Sequence, residues 1–260
     1  MTTWLEILIV SFFILLPFLY DTCRGFRYHF RLAIFSVLAS LTSLLAIFQF
    51  KQRTRLIAYF GQQISDLLSL EWHLHGKQNL LSKRTRVAIM NYQSNINTLG
   101  IMHLLYCCQE KDLNIISNTN YNNLWPFSFF PWLLSLMLCP IQFLNTSLGF
   151  LYFSPAIMDS GPEIILAPTT MTNKEIIKMA LKKKLPIQPI VFSNCYFINR
   201  EKHLFEPGRV IISVMPIIET DGLIANDISN LSDEISTKIR VEYDSISKIT
   251  KLSDYQTPCL

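Results

Sequence analysis

Two long apolar runs occupy the N-terminal fifth of the chain. Residues 4–20 form a run with one carboxylate, Glu6, near its start, and residues 32–50 form a run of 19 residues without a charge. At about 1.5 Å per residue, the second run approaches the length that a helix needs to cross a hydrocarbon core of about 30 Å. No small-residue cleavage site follows the first run, which favours a retained anchor. The pattern predicts membrane-anchoring hydrophobic helices over residues 1–55.

A third apolar stretch, residues 124–143, is of a different kind. It is rich in Trp and Phe, and Pro126, Pro131 and Pro140 interrupt it. Three prolines argue against an uninterrupted spanning helix. The aromatic residues suit either the bilayer interface or a pocket for a lipid chain. A buried core helix with prolines marking its ends is the alternative.

From about residue 56 the pattern alternates between short β-prone runs and helical periodicity. The β-prone runs lie at 86–90, 113–116, 163–167, 185–191 and 210–214, and the helical stretches lie at 92–108, 176–184 and 226–248. Pro168 closes the third β-prone run, and His73 and His75 are expected on a surface loop before the first. Alternating strands and helices predict an α/β domain over residues 56–260 with a mostly parallel central sheet.

Composition narrows the class of protein. Half of the residues are hydrophobic and 16% are charged, whereas a soluble globular chain carries about 25% charged residues. This balance excludes a disordered chain or a coiled coil and favours a membrane partner. The net charge of +4 is dispersed, with no Arg-rich stripe, so no nucleic-acid partner is expected. Basic residues flank residues 32–50 on both sides, so the charges do not orient that segment.

The cysteines and histidines do not form a recognisable metal motif. The six cysteines lack Cys-x-x-Cys pairs and the spacing of a disulfide framework. We therefore expect reduced thiols packed as small apolar side chains, no metal and no cofactor.

Three motifs carry a resemblance to a known family. Residues 87–100 read VAIMNYQSNINTLG, residues 185–191 read LPIQPIV, and residues 216–223 read PIIETDGL. In this order, behind an N-terminal anchor, they resemble the 1-acylglycerol-3-phosphate acyltransferases of PlsC type over roughly residues 55–250. The resemblance implies a PlsC-like fold, a role in phospholipid (phosphatidic acid) metabolism, and an integral membrane location at the endoplasmic reticulum. It also implies a lysophospholipid acceptor, with acyl-CoA as the co-substrate if the chain is active.

The catalytic pair of that family is replaced in this chain. The family's His-x-x-x-x-Asp motif aligns with Tyr92 and Asn97. A phenol, with a pKa of about 10, is a poor base at neutral pH, and a carboxamide has no charge to stabilise an imidazolium. Because loss of a general base costs about 10²–10⁴ in rate, we expect weak or absent acyl transfer.

The substrate-binding motifs have lost their charges as well. The family's Phe-Pro-Glu-Gly-Thr-Arg loop aligns with residues 167–172, where Thr169, Thr170 and Thr172 replace Glu, Gly and Arg. An Ile-Asp-Arg motif aligns with residues 144–146, where Asn145 and Thr146 replace the charged pair. A threonine hydroxyl cannot replace the bidentate clamp that Arg offers to a phosphate. No intact substrate-binding residue is expected at these positions.

Other side chains are poor replacements for the missing base. His103 follows Asn97 by six residues on the same predicted helix and should face elsewhere, and His73 and His75 precede the strand. Ser94 and Thr98 are expected as polar residues at the helix start rather than as nucleophiles.

Two functional hypotheses follow. The first is a catalytically impaired acyltransferase-like protein that binds lipid or regulates an active acyltransferase relative. The second is an active lysophospholipid acyltransferase with displaced catalytic residues or a different acceptor. An unrelated membrane-anchored α/β protein is a third alternative.

Overall fold

A computed structural model describes residues 2–48, 53–80, 86–91, 96–108, 113–115, 164–169, 174–223 and 227–256. The helices in these ranges are α1 (Thr2–Thr22), α2 (Arg24–Phe48), α3 (Arg53–Leu67), α4 (Lys77–Leu80), α5 (Asn97–Cys108), α6 (Lys174–Lys182) and α7 (Ile228–Gln256). The strands are β1 (Leu70–His75), β2 (Arg86–Asn91), β3 (Leu113–Ile115), β4 (Ile164–Thr169), β5 (Ile187–Phe192), β6 (Ile198–Asn199), β7 (Leu204–Phe205) and β8 (Gly208–Val214).

Six of the strands form one sheet in the order β1-β8-β5-β2-β4-β3, and β6 pairs with β7 in a separate hairpin. In the six-stranded sheet, the described strands β5 and β8 pair antiparallel, and the other neighbouring strands pair in parallel. The predicted mostly parallel sheet is therefore confirmed, and each predicted β-prone run overlaps one of these strands.

The central strand β2 separates two apolar layers. Successive side chains of a strand point to opposite faces of the sheet. Ala88 and Met90 accordingly join the core cluster that contains residues of α2, α3 and α5. Val87 and Ile89 join a second cluster with residues of α6 and α7. Burial on both faces is typical of parallel strands and explains the continuous apolar run of β2.

Two local predictions are wrong. His73 and His75 do not lie on a loop but in strand β1, whose side chains alternate between buried and exposed positions. Pro168 does not close its strand, since it lies inside β4 in register with Met90. A proline near the end of a strand is tolerated because it gives up only one ladder hydrogen bond there.

Helix α2 packs against the globular part through an unusual buried cation. The guanidinium of Arg31 is buried, donates a hydrogen bond to the backbone carbonyl of Leu68, and lies 5.2 Å from the centre of the Phe205 ring. Phe35 and Ala39 of α2 also belong to the main core cluster. One side of α2 is thus part of the folded core.

The two N-terminal apolar runs are helical, as predicted, and correspond to α1 and α2. In the described part of the chain, no helix combines the length and the apolar character that a membrane crossing requires. Residues 124–143 lie outside the described residues.

Candidate functional site

Asn91 belongs to the first motif and is the last residue of β2. Its Nδ2 donates to the backbone carbonyl of Phe192 at 2.9 Å, and its Oδ1 accepts from the backbone N–H of Phe192 at 2.7 Å. This pair of bonds continues the pairing of β2 with β5 by means of a side chain. This contact therefore fixes the end of β2 against β5.

Thr169, in the segment that aligns with the family's Phe-Pro-Glu-Gly-Thr-Arg loop, lies at the same edge of the sheet. Thr169 is in register with Asn91 at the ends of the parallel strands β4 and β2. Ligands of open α/β sheets bind beyond the carboxyl ends of the parallel strands. The fold therefore brings Asn91, at the end of β2, and Thr169, at the end of β4, together at the edge where a ligand is expected.

Asn97, at the position of the family's Asp, is the first residue of α5 and is fully buried. Its Oδ1 accepts a hydrogen bond from the thiol of Cys195 at 3.8 Å. Its Nδ2 finds no partner among the described residues. Burial raises the pKa of the Cys195 thiol to about 12, so this neighbour is neutral at physiological pH. The position thus holds a neutral amide beside a neutral thiol.

Cys195 is held in place by the loop that follows β5. The Ser193 N–H donates to the carbonyl of Ile211 at 2.9 Å, and the Ile211 N–H donates to Oγ of Ser193 at 3.0 Å. The N–H of Asn194 donates to Oγ of Ser247 on α7 at 2.9 Å. Hydrogen bonds to β8 and α7 therefore hold the two residues that precede Cys195.

Gly100, the glycine of the first motif, lets α5 approach the sheet closely. A Cβ atom at this position would lie 2.5 Å from Cε1 of Phe192 and 2.7 Å from Cζ3 of Trp72. Both distances are far shorter than a van der Waals contact between carbon atoms. The glycine therefore sets the distance between the helix that carries Asn97 and the sheet that carries Asn91.

The two late motifs act as scaffold. Ile187 and Ile218 exchange two backbone hydrogen bonds, of 2.9 and 2.7 Å, which join the second motif to the third. The buried hydroxyl of Thr220 donates to the carbonyl of Leu185 at 3.1 Å. These residues hold β5 in the position from which it pairs with β2.

Several predicted site residues lie outside the described residues. They are Tyr92, Ser94, Asn145, Thr146, Thr170 and Thr172, and the side chain of Thr169 belongs with them. Of the predicted catalytic pair, the structure therefore places Asn97 alone. Cys195, which contacts Asn97, was not found by sequence reasoning, because a contact between residues 98 positions apart leaves no local signal.

The histidines considered as replacement bases do not contact Asn97 in the described structure. His103 points to α3, where its Nδ1 lies 2.9 Å from Oε1 of Gln62, so the expectation that it faces away is confirmed. His73 lies on β1 with its Nε2 3.4 Å from Oε2 of Glu71. Among the described residues, no three His, Cys, Asp or Glu side chains lie close enough to share a metal ion.

Comparison with solved structures identifies the fold. The crystal structure of PlsC, a lysophosphatidic acid acyltransferase from Thermotoga maritima, matches with a TM-score of 0.59 and 15% sequence identity. The match covers 86% of this chain and 99% of the bacterial one. The chain therefore has a PlsC-like fold with a mostly parallel central sheet.

Comparison with curated proteins agrees. The chain is 23% identical to human 1-acyl-sn-glycerol-3-phosphate acyltransferase beta over 256 residues, which cover 90% of each chain. It is 30% identical to mouse 1-acyl-sn-glycerol-3-phosphate acyltransferase alpha over 71 residues, or 26% of this chain and 25% of the mouse protein. No family model matches the chain. The chain is thus similar in sequence to 1-acyl-sn-glycerol-3-phosphate acyltransferases and shares the fold of PlsC.

Proposed function

We propose that this chain is a membrane-bound acyltransferase-like protein of phospholipid metabolism that does not catalyse efficient acyl transfer. It binds a lysophospholipid, a long-chain acyl-CoA or both, and it acts through lipid binding or through an active acyltransferase relative. The observation that carries the proposal is the buried amide of Asn97 at the position of the family's Asp, beside the neutral thiol of Cys195.

The physical reason concerns charge. In a His–carboxylate pair, the carboxylate orients the imidazole and stabilises the imidazolium that forms when the base takes a proton. Asn97 is uncharged, and its carbonyl oxygen already accepts from a thiol. With Tyr92 at the histidine position, the chain lacks both the base and the charge that would stabilise its protonated form.

Membrane attachment through residues 1–55, with the acyltransferase-like domain over residues 56–260, belongs to the same proposal. Helix α1 leaves large apolar side chains exposed, among them Trp4, Ile14 and Phe18. Exposed apolar surface of this kind is typical of a membrane or protein interface. Residence in the endoplasmic reticulum membrane is proposed from the family resemblance alone.

Binding and turnover should be measured separately on the purified full-length chain in lipid nanodiscs. The proposal predicts saturable binding of lysophosphatidic acid or long-chain acyl-CoA without formation of phosphatidic acid. Turnover by the unmodified chain would contradict the loss of catalysis. Failure to bind either ligand would contradict the lipid-binding role.

An active lysophospholipid acyltransferase with displaced catalytic residues or a different acceptor is the second candidate. It is favoured by the similarity to the human acyltransferase, which extends over 90% of both chains. A neutral lysolipid or alcohol would be the expected acceptor, because the Arg of the family's Phe-Pro-Glu-Gly-Thr-Arg loop is Thr172 here. Turnover that Tyr92→Phe abolishes would support this candidate, and turnover that is indifferent to this change would count against it.

A further inference from the structure

Helices α3 and α5 bring a thiol, an imidazole and a carboxamide together in one array. This array is separate from the contact between Asn97 and Cys195. The thiol of Cys107 lies 3.4 Å from Nε2 of His103, one turn earlier on α5. Nδ1 of the same imidazole lies 2.9 Å from Oε1 of Gln62 on α3. The array therefore has a nucleophile, a base beside it, and a third group that holds the base, which is the arrangement of an activated nucleophile.

Asp66 determines the direction of these hydrogen bonds. Its ionised carboxylate can only accept, and it lies 3.0 Å from Nε2 of Gln62, so the amide nitrogen of Gln62 must face it. The carbonyl oxygen of Gln62 then faces His103 and requires a proton on Nδ1 of the ring. In the neutral imidazole, Nε2 is left unprotonated and accepts from the Cys107 thiol.

The protonation states of the pair fit this direction. Burial lowers the pKa of His103, His73 lowers it further, and Asp66 opposes the change. Burial raises the pKa of Cys107, and Lys77 opposes that rise. The pair is therefore a neutral thiol beside a neutral imidazole at physiological pH, in which the imidazole can act as a general base.

We propose that Cys107 is a self-acylation site, at which the thiol accepts the acyl group of a long-chain acyl thioester with His103 as the base. A bond forms between Sγ of Cys107 and the acyl carbon, and the thioester C–S bond breaks. The thiol proton passes to Nε2 of His103 and then to the departing thiolate. The products are S-acylated Cys107 and a free thiol, with no change in oxidation state.

The surroundings of the array suit a long acyl chain better than a small polar group. Tyr106 precedes Cys107, and Tyr59 lies three residues before Gln62, on the same face of α3. Each of these tyrosines is 53% exposed, so aromatic surface lies open on both helices. Such rings offer an apolar body with a polar tip, as at lipid interfaces. The donor is of the class named in the proposed function, but this step needs no lysophospholipid acceptor.

The test uses the purified full-length chain with an alkyne-tagged long-chain acyl-CoA and no lysophospholipid. Labelled peptides are mapped by mass spectrometry before and after treatment with neutral hydroxylamine, which cleaves thioesters. We expect a hydroxylamine-sensitive label on Cys107, reduced by about 100-fold in His103→Gln, as for loss of a general base. The matched control is Cys23, which is more exposed and has no hydrogen bond to an imidazole among the described residues. Labelling that favours Cys23 over Cys107, or that is unchanged in His103→Gln, overturns the proposal.

A second variant tests whether Gln62 positions the His103 ring for the reaction or only contributes to the structure. Gln62→Glu places a carboxylate against His103 and should raise its pKa, because an adjacent negative charge favours the imidazolium. The midpoint of the labelling rate against pH should then move to higher pH, with circular dichroism unchanged. A midpoint that does not move contradicts the proposed pairing. Because no acceptor lipid is present, the outcome is independent of whether the chain forms phosphatidic acid.

Discussion

The thiol of Cys195 donates a hydrogen bond to Oδ1 of Asn97 across 3.8 Å, and both residues are buried. Asn97 aligns with the Asp of the His-x-x-x-x-Asp motif that residues 87–100 resemble. The loop that carries Cys195 is hydrogen-bonded to β8 and α7. Asn97 and its thiol neighbour are therefore both buried and both uncharged.

Asn97→Asp alone should destabilise the folded chain at neutral pH. The new carboxyl would be buried beside a neutral thiol, so its pKa should rise above the unfolded value of about 3.9. If the pKa of the carboxyl is higher in the folded state than in the unfolded state, its contribution to stability is fully present below the pKa of the unfolded state. That contribution is lost as the pH rises through the pKa of the folded state. A rise of about 1.5 in the pKa corresponds to a loss of about 2 kcal/mol in the free energy of unfolding.

Denaturant unfolding at neutral and acidic pH measures this effect. The difference in the free energy of unfolding between Asn97→Asp and the unmodified chain should become smaller toward pH 4. Cys195→Ala, which removes the thiol but adds no charge, is the control and should show no such pH dependence. An equal deficit at both pH values would contradict a buried, uncompensated carboxylate.

Gly100→Ala should destabilise the chain by about 1–3 kcal/mol, as for overpacking of a core. The added methyl group would clash with the rings of Phe192 and Trp72. Gly25→Ala is the matched control, because a Cβ atom at Gly25 meets nothing within 4 Å and alanine has the higher helix propensity. Thermal unfolding should show a lower midpoint for the first variant and an equal or higher midpoint for the second. Equal midpoints for the two variants would contradict the close packing of α5 on the sheet.

Asn91→Leu should weaken the junction of β2 and β5. The change removes both hydrogen bonds to the backbone of Phe192, at a cost of about 2 kcal/mol for two bonds. Hydrogen exchange at the amide of Phe192 should become faster. Asn79→Leu, which removes a side-chain bond to the carbonyl of Val214 instead, is the control and should leave that amide protected. Unchanged protection of Phe192 in Asn91→Leu would show that the side chain does not close the sheet.

His103 should make the chain less stable in mild acid. Its pKa is lowered, chiefly by burial, so the folded state takes up the proton less readily than the unfolded chain. The contribution of His103 to stability is therefore fully present above the pKa of the unfolded state, about 6.5. It is lost as the pH falls toward the lower pKa of the folded state. Comparing denaturant unfolding of the unmodified chain and His103→Gln at pH 7.5 and 5.5 should show a smaller acid loss in the variant. An equal loss in both proteins would assign the effect to other groups.

Much of the sheet could be predicted because its strands have local signals. The apolar run at 86–90 is buried on both faces in β2, and the resemblance of residues 87–100 to the family motif placed the following helix. The antiparallel pairing of β5 with β8 could not be predicted, because no short turn joins these strands and their pairing depends on the whole fold.

Strand β1 shows a signal that sequence reasoning overlooked. Residues 70–75 read LEWHLH, and their alternation of apolar and polar side chains matches the alternation of buried and exposed positions in the structure. The apolar residues Leu70, Trp72 and Leu74 recur with a period of two, which is typical of a strand.

The site was predicted only in part. Asn97 follows directly from the motif, and its position at the start of α5 agrees with the expected turn from strand to helix. Its contact with Cys195, and the contact of Gln62 with His103, join distant segments that meet only when the helices dock on the sheet. Such contacts depend on tertiary packing and leave no periodicity in the chain.

Acyl transfer by the unmodified chain and by the double variant Tyr92→His with Asn97→Asp tests the central claim most directly. Both proteins would be assayed in lipid nanodiscs with lysophosphatidic acid and a long-chain acyl-CoA. We expect no phosphatidic acid from the unmodified chain and measurable product from the double variant, because the restored pair supplies both the base and its stabilising charge. Efficient product formation by the unmodified chain would show that the replaced pair is not needed for acyl transfer.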